Sequence, residues 1–161
     1  MTGWLQLTDD QRRNSLTQAQ RRTGIGVKAL EKDWWVTLVL KALFQSAYSN
    51  QMVFKGGTSL SKGWKLITRF SEDIDIALDP EAFDMTYLEK PSKNYREKLK
   101  REGCTFTSTL LLKELSAQLT ALNVPEGMIT VAAEPIPANR PDTDPQTLHV
   151  SYVPLYDPNM F

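Results

Sequence analysis

The 161 residues suit one domain with a core of useful size, and 41% hydrophobic with 24% charged residues is ordinary for a globular protein. Lys plus Arg and Asp plus Glu both number 19, so no net positive field draws the chain to a polyanion; a nucleic-acid partner would need a local patch. A single cysteine, Cys104, and a single histidine, His149, exclude an intrachain disulfide, a cysteine-rich zinc site and a multi-histidine metal centre, and argue against a serine or cysteine triad.

The N-terminal MTGWLQLTDDQRR lacks a basic region followed by an apolar run, so it does not read as a signal peptide. No stretch is long and apolar enough to span a bilayer, and the expected location is the cytoplasm. Thr8-Asp9-Asp10-Gln11 predicts a capping box, with Thr8 as N-cap and Gln11 reaching back. The helix it opens is polar and stops near Gly24. Val27 to about Tyr48 carries the strongest helical pattern: Val27, Leu30, Trp34, Leu38 and Lys41 fall on one stripe, widened by Trp35, Val39 and Leu43. So broad an apolar face predicts packing on a sheet.

Gln51–Lys55 predicts a short strand ended by Gly56-Gly57, and Thr58 to about Leu66 a helix with Gly63 as its weak point. Glu72–Leu78 alternates as a strand and Asp79-Pro80 closes it. Ser92 caps a charged helix, KNYREKLKRE, that Gly103 breaks; a further helix runs from Thr107 to about Leu122. MITVAAE and QTLHVSYVPL are two more strands, separated by the loop PIPANRPDTDP. The order predicts an α+β (mixed α/β) domain, residues 1–161, with a small mixed sheet flanked by helices. The chain stops on an apolar residue just after a strand, which reads either as the N-terminal part of a longer protein or as a short natural version of one.

The chemistry concentrates in FKGGTSLSKGWKLITRFSEDIDIAL, residues 54–78. Strand alternation sends Asp73 and Asp75 to one face, and Ile74 and Ile76 to the other. Two carboxylates on one face repel unless a cation lies between them, and hard oxygen ligands suit Mg²⁺, which also binds substrate phosphates. Asp is disfavoured in strands, although a solvated sheet face is the plainer explanation of each alone. Gly56-Gly57 leads from a strand into a helix, where backbone N–H groups unobstructed by a Cβ can meet an anion; Thr58, Ser59 and Ser61 add hydroxyls, Lys55 and Lys62 charge. No G-K-[ST] and no G-x-G-x-x-G is present. Together the parts describe a phosphate cradle, a helix, and a return strand with two candidate metal ligands.

This stretch resembles the signature of the nucleotidyltransferase superfamily, a glycine pair, a helix and then acid-x-acid. Arg69-Phe70-Ser71-Glu72 leading into Asp73, and EKDWWVTLVLKALF upstream, make it most similar to the AbiEii/AbiGii-type nucleotidyl transferase toxins of bacterial abortive-infection and toxin–antitoxin systems. The resemblance implies a nucleotidyltransferase-like fold, incomplete here at its C-terminus. It implies Asp73 and Asp75 as catalytic metal ligands for Mg²⁺ (or Mn²⁺), and Gly56, Gly57, Thr58, Ser59, Lys62 and Arg69 as nucleotide-binding residues. The implied reaction transfers NMP from an NTP to an acceptor hydroxyl of RNA, tRNA included, or of protein, with an antitoxin as partner and no membrane role. The third carboxylate on a later strand and the downstream lysine of such enzymes have no clear counterpart after residue 80. A catalytically incomplete nucleotide- or partner-binding module is therefore the alternative. A glycosyltransferase also uses D-x-D, but the glycine cradle suits a triphosphate better. Asp142, Asp144 and Asp157 are candidates for the missing acid, with solvated turns the plainer reading.

Arg69 and Glu72 read as a structural pair, and Lys32 and Asp33 as ion-pairing or packing residues. Trp34, Trp35 and Trp64 are expected in the core or at its rim, His149 as a buried or edge histidine, and Cys104 as inert.

Overall fold

In a computed structural model the chain is described over residues 2–66, 73–135, 139 and 146–156. Helix α1 (Asp9–Thr23) starts on the expected box: Thr8 Oγ1 accepts from the Gln11 amide at 3.3 Å, and the Gln11 side chain accepts from the Thr8 amide at 3.0 Å. Gly24, at φ 74°, ends it in the left-handed region. Helix α2 (Val27–Phe44) stops before Tyr48 because the Ser46 hydroxyl donates to the Leu43 carbonyl at 2.6 Å and so satisfies part of the last turn. Its buried stripe is Trp35, Leu38, Val39, Ala42 and Leu43. Its main partners are α1 and α5 (Leu112–Ala121), helices rather than the sheet face expected.

Strand β1 (Met52–Lys55) leads through one α-turn, α3 (Gly56–Thr58), into a π-turn, Ser59–Gly63. The helix expected to reach Leu66 thus ends at Gly63. The Trp64 amide closes the wide turn on the Ser59 carbonyl at 3.1 Å, and Lys65 takes a left-handed φ of 54°. Strand β2 (Asp75–Leu78) pairs antiparallel with β1, Lys55 opposite Asp75 and Met52 opposite Leu78. Glu72, the expected start of that strand, lies outside the described residues.

Helix α4 (Lys93–Phe106) is capped by Ser92, whose hydroxyl accepts from the Tyr95 amide at 3.2 Å. Gly103 does not break it. The helix runs on through a π-turn, Thr107–Leu111, into α5, so two expected helices form one rod. At Gly103 a Cβ would meet the Phe83 ring at 3.4 Å; the glycine offers that ring a flat surface. Strands β3 (Ile129–Ala133) and β4 (Leu148–Tyr152) pair antiparallel, Ile129 opposite Tyr152.

The class is α+β, as expected. Its strands form two separate antiparallel pairs among the described residues, where one small mixed sheet was expected. The core gathers Trp35, Leu38, Ala42, Met52, Phe106, Leu115 and Leu119, with Ile74, Ile76, Ile129 and Val150 packed against it from the strands. Trp34 sits beside Trp35 at 5.0 Å, centroid to centroid, whereas Trp64 is 71% exposed and takes no part in the core expected for it. Among the described residues no helix is long and apolar enough to cross a membrane.

The segment after β4 returns to the first two helices. Buried Leu155 donates its amide to Glu31 Oε1 at 2.8 Å, and its carbonyl accepts from Arg13 Nε and a terminal Arg13 nitrogen at 3.3 and 3.2 Å. Glu31 is almost fully buried, and that desolvation raises its pKa above 4.5 although the Leu155 amide and the Arg12 charge pull it down. Nothing in the apolar stripe of α2 announced a buried carboxylate.

Candidate nucleotide and metal site

Asp73 and Ile74, expected inside the strand, precede it, since β2 starts at Asp75; exposure nevertheless alternates from Asp73 to Leu78. Asp73, Asp75 and Ala77 are exposed, and Ile74, Ile76 and Leu78 are half-buried toward the core. Ladder pairing holds the second acid: Asp75 faces Lys55 directly across the strand pair, an opposite-charge neighbour at the end of β1.

Gly56 follows Lys55 and answers to two constraints. Its φ is 72°, a left-handed conformation that other L-residues adopt at a cost. A Cβ there would also overlap Asp75 Oδ2 and come within 2.8 Å of Asp75 Cγ. The carboxylate therefore lies directly against the glycine turn, and only glycine leaves room for it.

Asp73 is tied to the same turn from the other side. The Thr58 hydroxyl, fully buried, donates to the Asp73 carbonyl at 2.5 Å. One turn thus locates both acids, Asp75 through side-chain contact at Gly56 and Asp73 through its backbone at Thr58. Gly57 is half-buried between them in sequence, and Ser59 is 5% exposed. Thr58 and Ser59 are thus buried, whereas Gly56, with Asp75 against it, is exposed.

Lys62 goes elsewhere. Its Nζ pairs with Asp33 Oδ1 at 2.7 Å and donates to Thr37 Oγ1 at 2.8 Å and to the Asp33 carbonyl at 3.3 Å. It straps the π-turn to α2. Arg69 lies outside the described residues, as do Glu72, Asp142, Asp144 and Asp157. His149 stands at the exposed face of β4, its Nε2 3.9 Å from Glu134 Oε2, and buried Cys104 holds Gln146 Oε1 at 2.8 Å. Both are distant in role from this turn. Asp33 forms an ion pair, one of the roles expected for it, but its partner Lys62, the Thr37 contact and Glu31 escaped the sequence reading. The partners of Lys62 are 25 and 29 residues away, and no local spacing announces them.

The family of nucleotidyl transferase AbiEii toxins, of type IV toxin–antitoxin systems, matches residues 38–152, the greater part of the chain. The chain belongs to that family. The match contains the glycine turn and both acids but leaves out α1 and the first half of α2, Asp33 included. No curated protein and no solved structure matches the chain. Membership in AbiEii makes this a nucleotidyl transferase toxin domain and implies an antitoxin partner.

The donor set can be weighed against a divalent cation. Two exposed aspartates stand at a turn whose first residue, Gly56, has no side chain beside Asp75, and one or two carboxylates plus substrate phosphates are what Mg²⁺ ordinarily uses. Among the described residues no group of three or more His, Cys, Asp or Glu residues comes together, so a closed all-protein cage is not formed there. The residues fit a shared metal–substrate site.

Proposed function

We propose that this AbiEii domain is a Mg²⁺-dependent nucleotidyltransferase that moves NMP from an NTP to an acceptor hydroxyl of RNA or protein. The observation that carries the reading is the contact of the Asp75 carboxylate with Gly56 beside the Thr58–Asp73 hydrogen bond: one glycine-led turn holds Asp75 by its side chain and Asp73 by its backbone. Mg²⁺ bound by Asp73 and Asp75 would neutralise the triphosphate charge. The Gly56-Gly57 backbone would receive the phosphate tail at close approach, with Lys55 adding positive charge on the same face. The acceptor oxygen forms a bond to the α-phosphorus as the bond to the β-phosphate oxygen breaks. Pyrophosphate leaves and the hydroxyl proton is released. The chain's contribution is position and charge, so the acids matter more than any hydroxyl of the turn.

Lys62, held by Asp33, supports the turn from α2 in this scheme, and Thr58 sets the height of Asp73. The second reading, an incomplete domain that binds nucleotide without turnover, is favoured by the absence of a third acid beside the pair among the described residues. One experiment separates the two. The chain is incubated with α-phosphate-labelled NTPs, Mg²⁺ and total RNA or protein, beside Asp73→Ala and Asp75→Ala. Label transfer that falls at least about 100-fold in each variant supports the transferase. Nucleotide binding without transfer supports the second reading, and transfer that both substitutions leave intact refutes the site.

A further inference from the structure

Lys62, expected to bind nucleotide, has no donor to spare for it. An ammonium carries three N–H groups. Three acceptors surround this one: Asp33 Oδ1 at 2.7 Å, Thr37 Oγ1 at 2.8 Å and the Asp33 carbonyl at 3.3 Å. Thr37 gives its own hydroxyl proton to the same carbonyl at 2.7 Å, which leaves its lone pairs for Lys62. We infer that Asp33 is a positioning residue of the metal and nucleotide site, acting through Lys62 and touching neither ligand. The inference rests on the transferase reading. It adds to that reading a residue outside the family match, which begins at residue 38.

A continuous path of contacts joins Asp33 to the acids. Lys62 belongs to the π-turn Ser59–Gly63, a rare form that occurs mostly as single turns and often at functional sites. Within that turn the Ser61 hydroxyl donates to the Thr58 carbonyl at 3.2 Å. The Thr58 hydroxyl holds the Asp73 carbonyl, and Gly56, two residues earlier, lies against the Asp75 carboxylate. Lys62 anchors one end of this segment to α2, and the other end locates both acids.

The strength of the tie is compatible with this role and not with a large share in stability. The side chains of Lys62 and Asp33 are 21% and 44% exposed, and ion pairs open to solvent add little to global stability. Removing Asp33 should therefore register at the site and leave the melting temperature nearly unchanged. A Lys62 that served the phosphates directly would give the opposite sign. Loss of Asp33 would then free the ammonium and tighten nucleotide binding.

The test is calorimetric titration of the whole chain with ATP, GTP, CTP and UTP in turn, each with Mg²⁺, in the wild type, Asp33→Ala, Lys62→Met and the double variant. Asp33→Ala should weaken the tightest-binding NTP at least about tenfold, the effect ordinarily seen when a partner that orients a metal ligand is removed. Lys62→Met should do the same, and the double variant should lose no more than the larger single loss, because both substitutions break the same tie. Asp33→Asn keeps an acceptor for Lys62 and should fall between Asp33→Ala and the wild type. Hydrogen exchange without any ligand supplies a second readout: amides from Gly56 to Gly63 should exchange faster in Asp33→Ala, and those of α4 and α5 at the wild-type rate. Undiminished or tighter NTP binding in Asp33→Ala overturns the inference, as do single losses that multiply in the double variant. Exchange that is unchanged from Gly56 to Gly63, or that quickens equally throughout the chain, overturns it too. Asp73→Ala is the control. If it abolishes binding while Asp33→Ala does not, the inference alone falls; if the wild type binds no NTP, or Asp73→Ala binds as well as the wild type, the transferase reading falls and the inference with it.

Discussion

Gly56 and Asp75 constrain one another. Replacing Gly56 by Ala places a methyl group in the volume of the carboxylate and demands a left-handed alanine. Gly56→Ala should cost about 1–3 kcal/mol of stability and abolish label transfer, read by thermal unfolding and the transfer assay together. Thr58→Val is subtler: it keeps the buried volume but strands the Asp73 carbonyl. A loss of about 1–3 kcal/mol is expected, with transfer down roughly tenfold because Asp73 shifts. Glu31 carries a pH dependence with a definite sign. Its folded pKa is raised by desolvation, so its contribution to stability is full below the unfolded value near 4.5 and is lost as pH rises through the folded pKa. Glu31→Gln keeps an acceptor for the Leu155 amide without the charge. The melting temperature of the variant should therefore gain on the wild type as pH goes from 4 to 7, and a difference that stays flat or shrinks contradicts the account.

Elements were readable where their signals are local and not where they depend on distant packing. The Thr8–Gln11 box and the Ser92 cap each lie within four residues, and both formed as expected. The alternation of exposure at Asp73–Leu78 was likewise visible, although Asp73 lies just ahead of the strand and not in it. Gly103 misled because glycine's helix penalty, about 1 kcal/mol, is small enough for the packing around it, the contact with Phe83 included, to override. Phe83 is twenty residues away, so the sequence around Gly103 could not reveal it. Gly103→Ala is informative for this reason. The new methyl group would meet Phe83 at an ordinary van der Waals distance, so a gain of up to about 1 kcal/mol in urea unfolding is expected; a loss would mean that the ring cannot accommodate it. The short π-turn after Thr58 has a similar origin. Lys62 is drawn to Asp33 and Thr37 on α2, a tertiary tie that no helical periodicity encodes.

At the scale of the whole molecule, one helical core made by α2 and α5 carries two small strand pairs, and each pair presents a different surface. The β1–β2 pair displays Asp75 at one end, with Asp73 just ahead of the strand, and leads into the turn at Pro80 from its Leu78 end. The outline of this site was legible because glycines, hydroxyls and aspartates lie within 20 residues of one another. The roles within it were less so: Thr58, Ser59 and Lys62 looked like ligand contacts, yet their side chains face the protein. The central claim is that two acids fastened to one glycine turn hold a metal and a triphosphate together. Isothermal titration of the chain with an NTP, with and without Mg²⁺, tests it most directly beside folded Asp73→Ala and Asp75→Ala. The account predicts binding that requires Mg²⁺ and disappears in both variants. Binding of equal strength without Mg²⁺, or undiminished in the two variants, would contradict it.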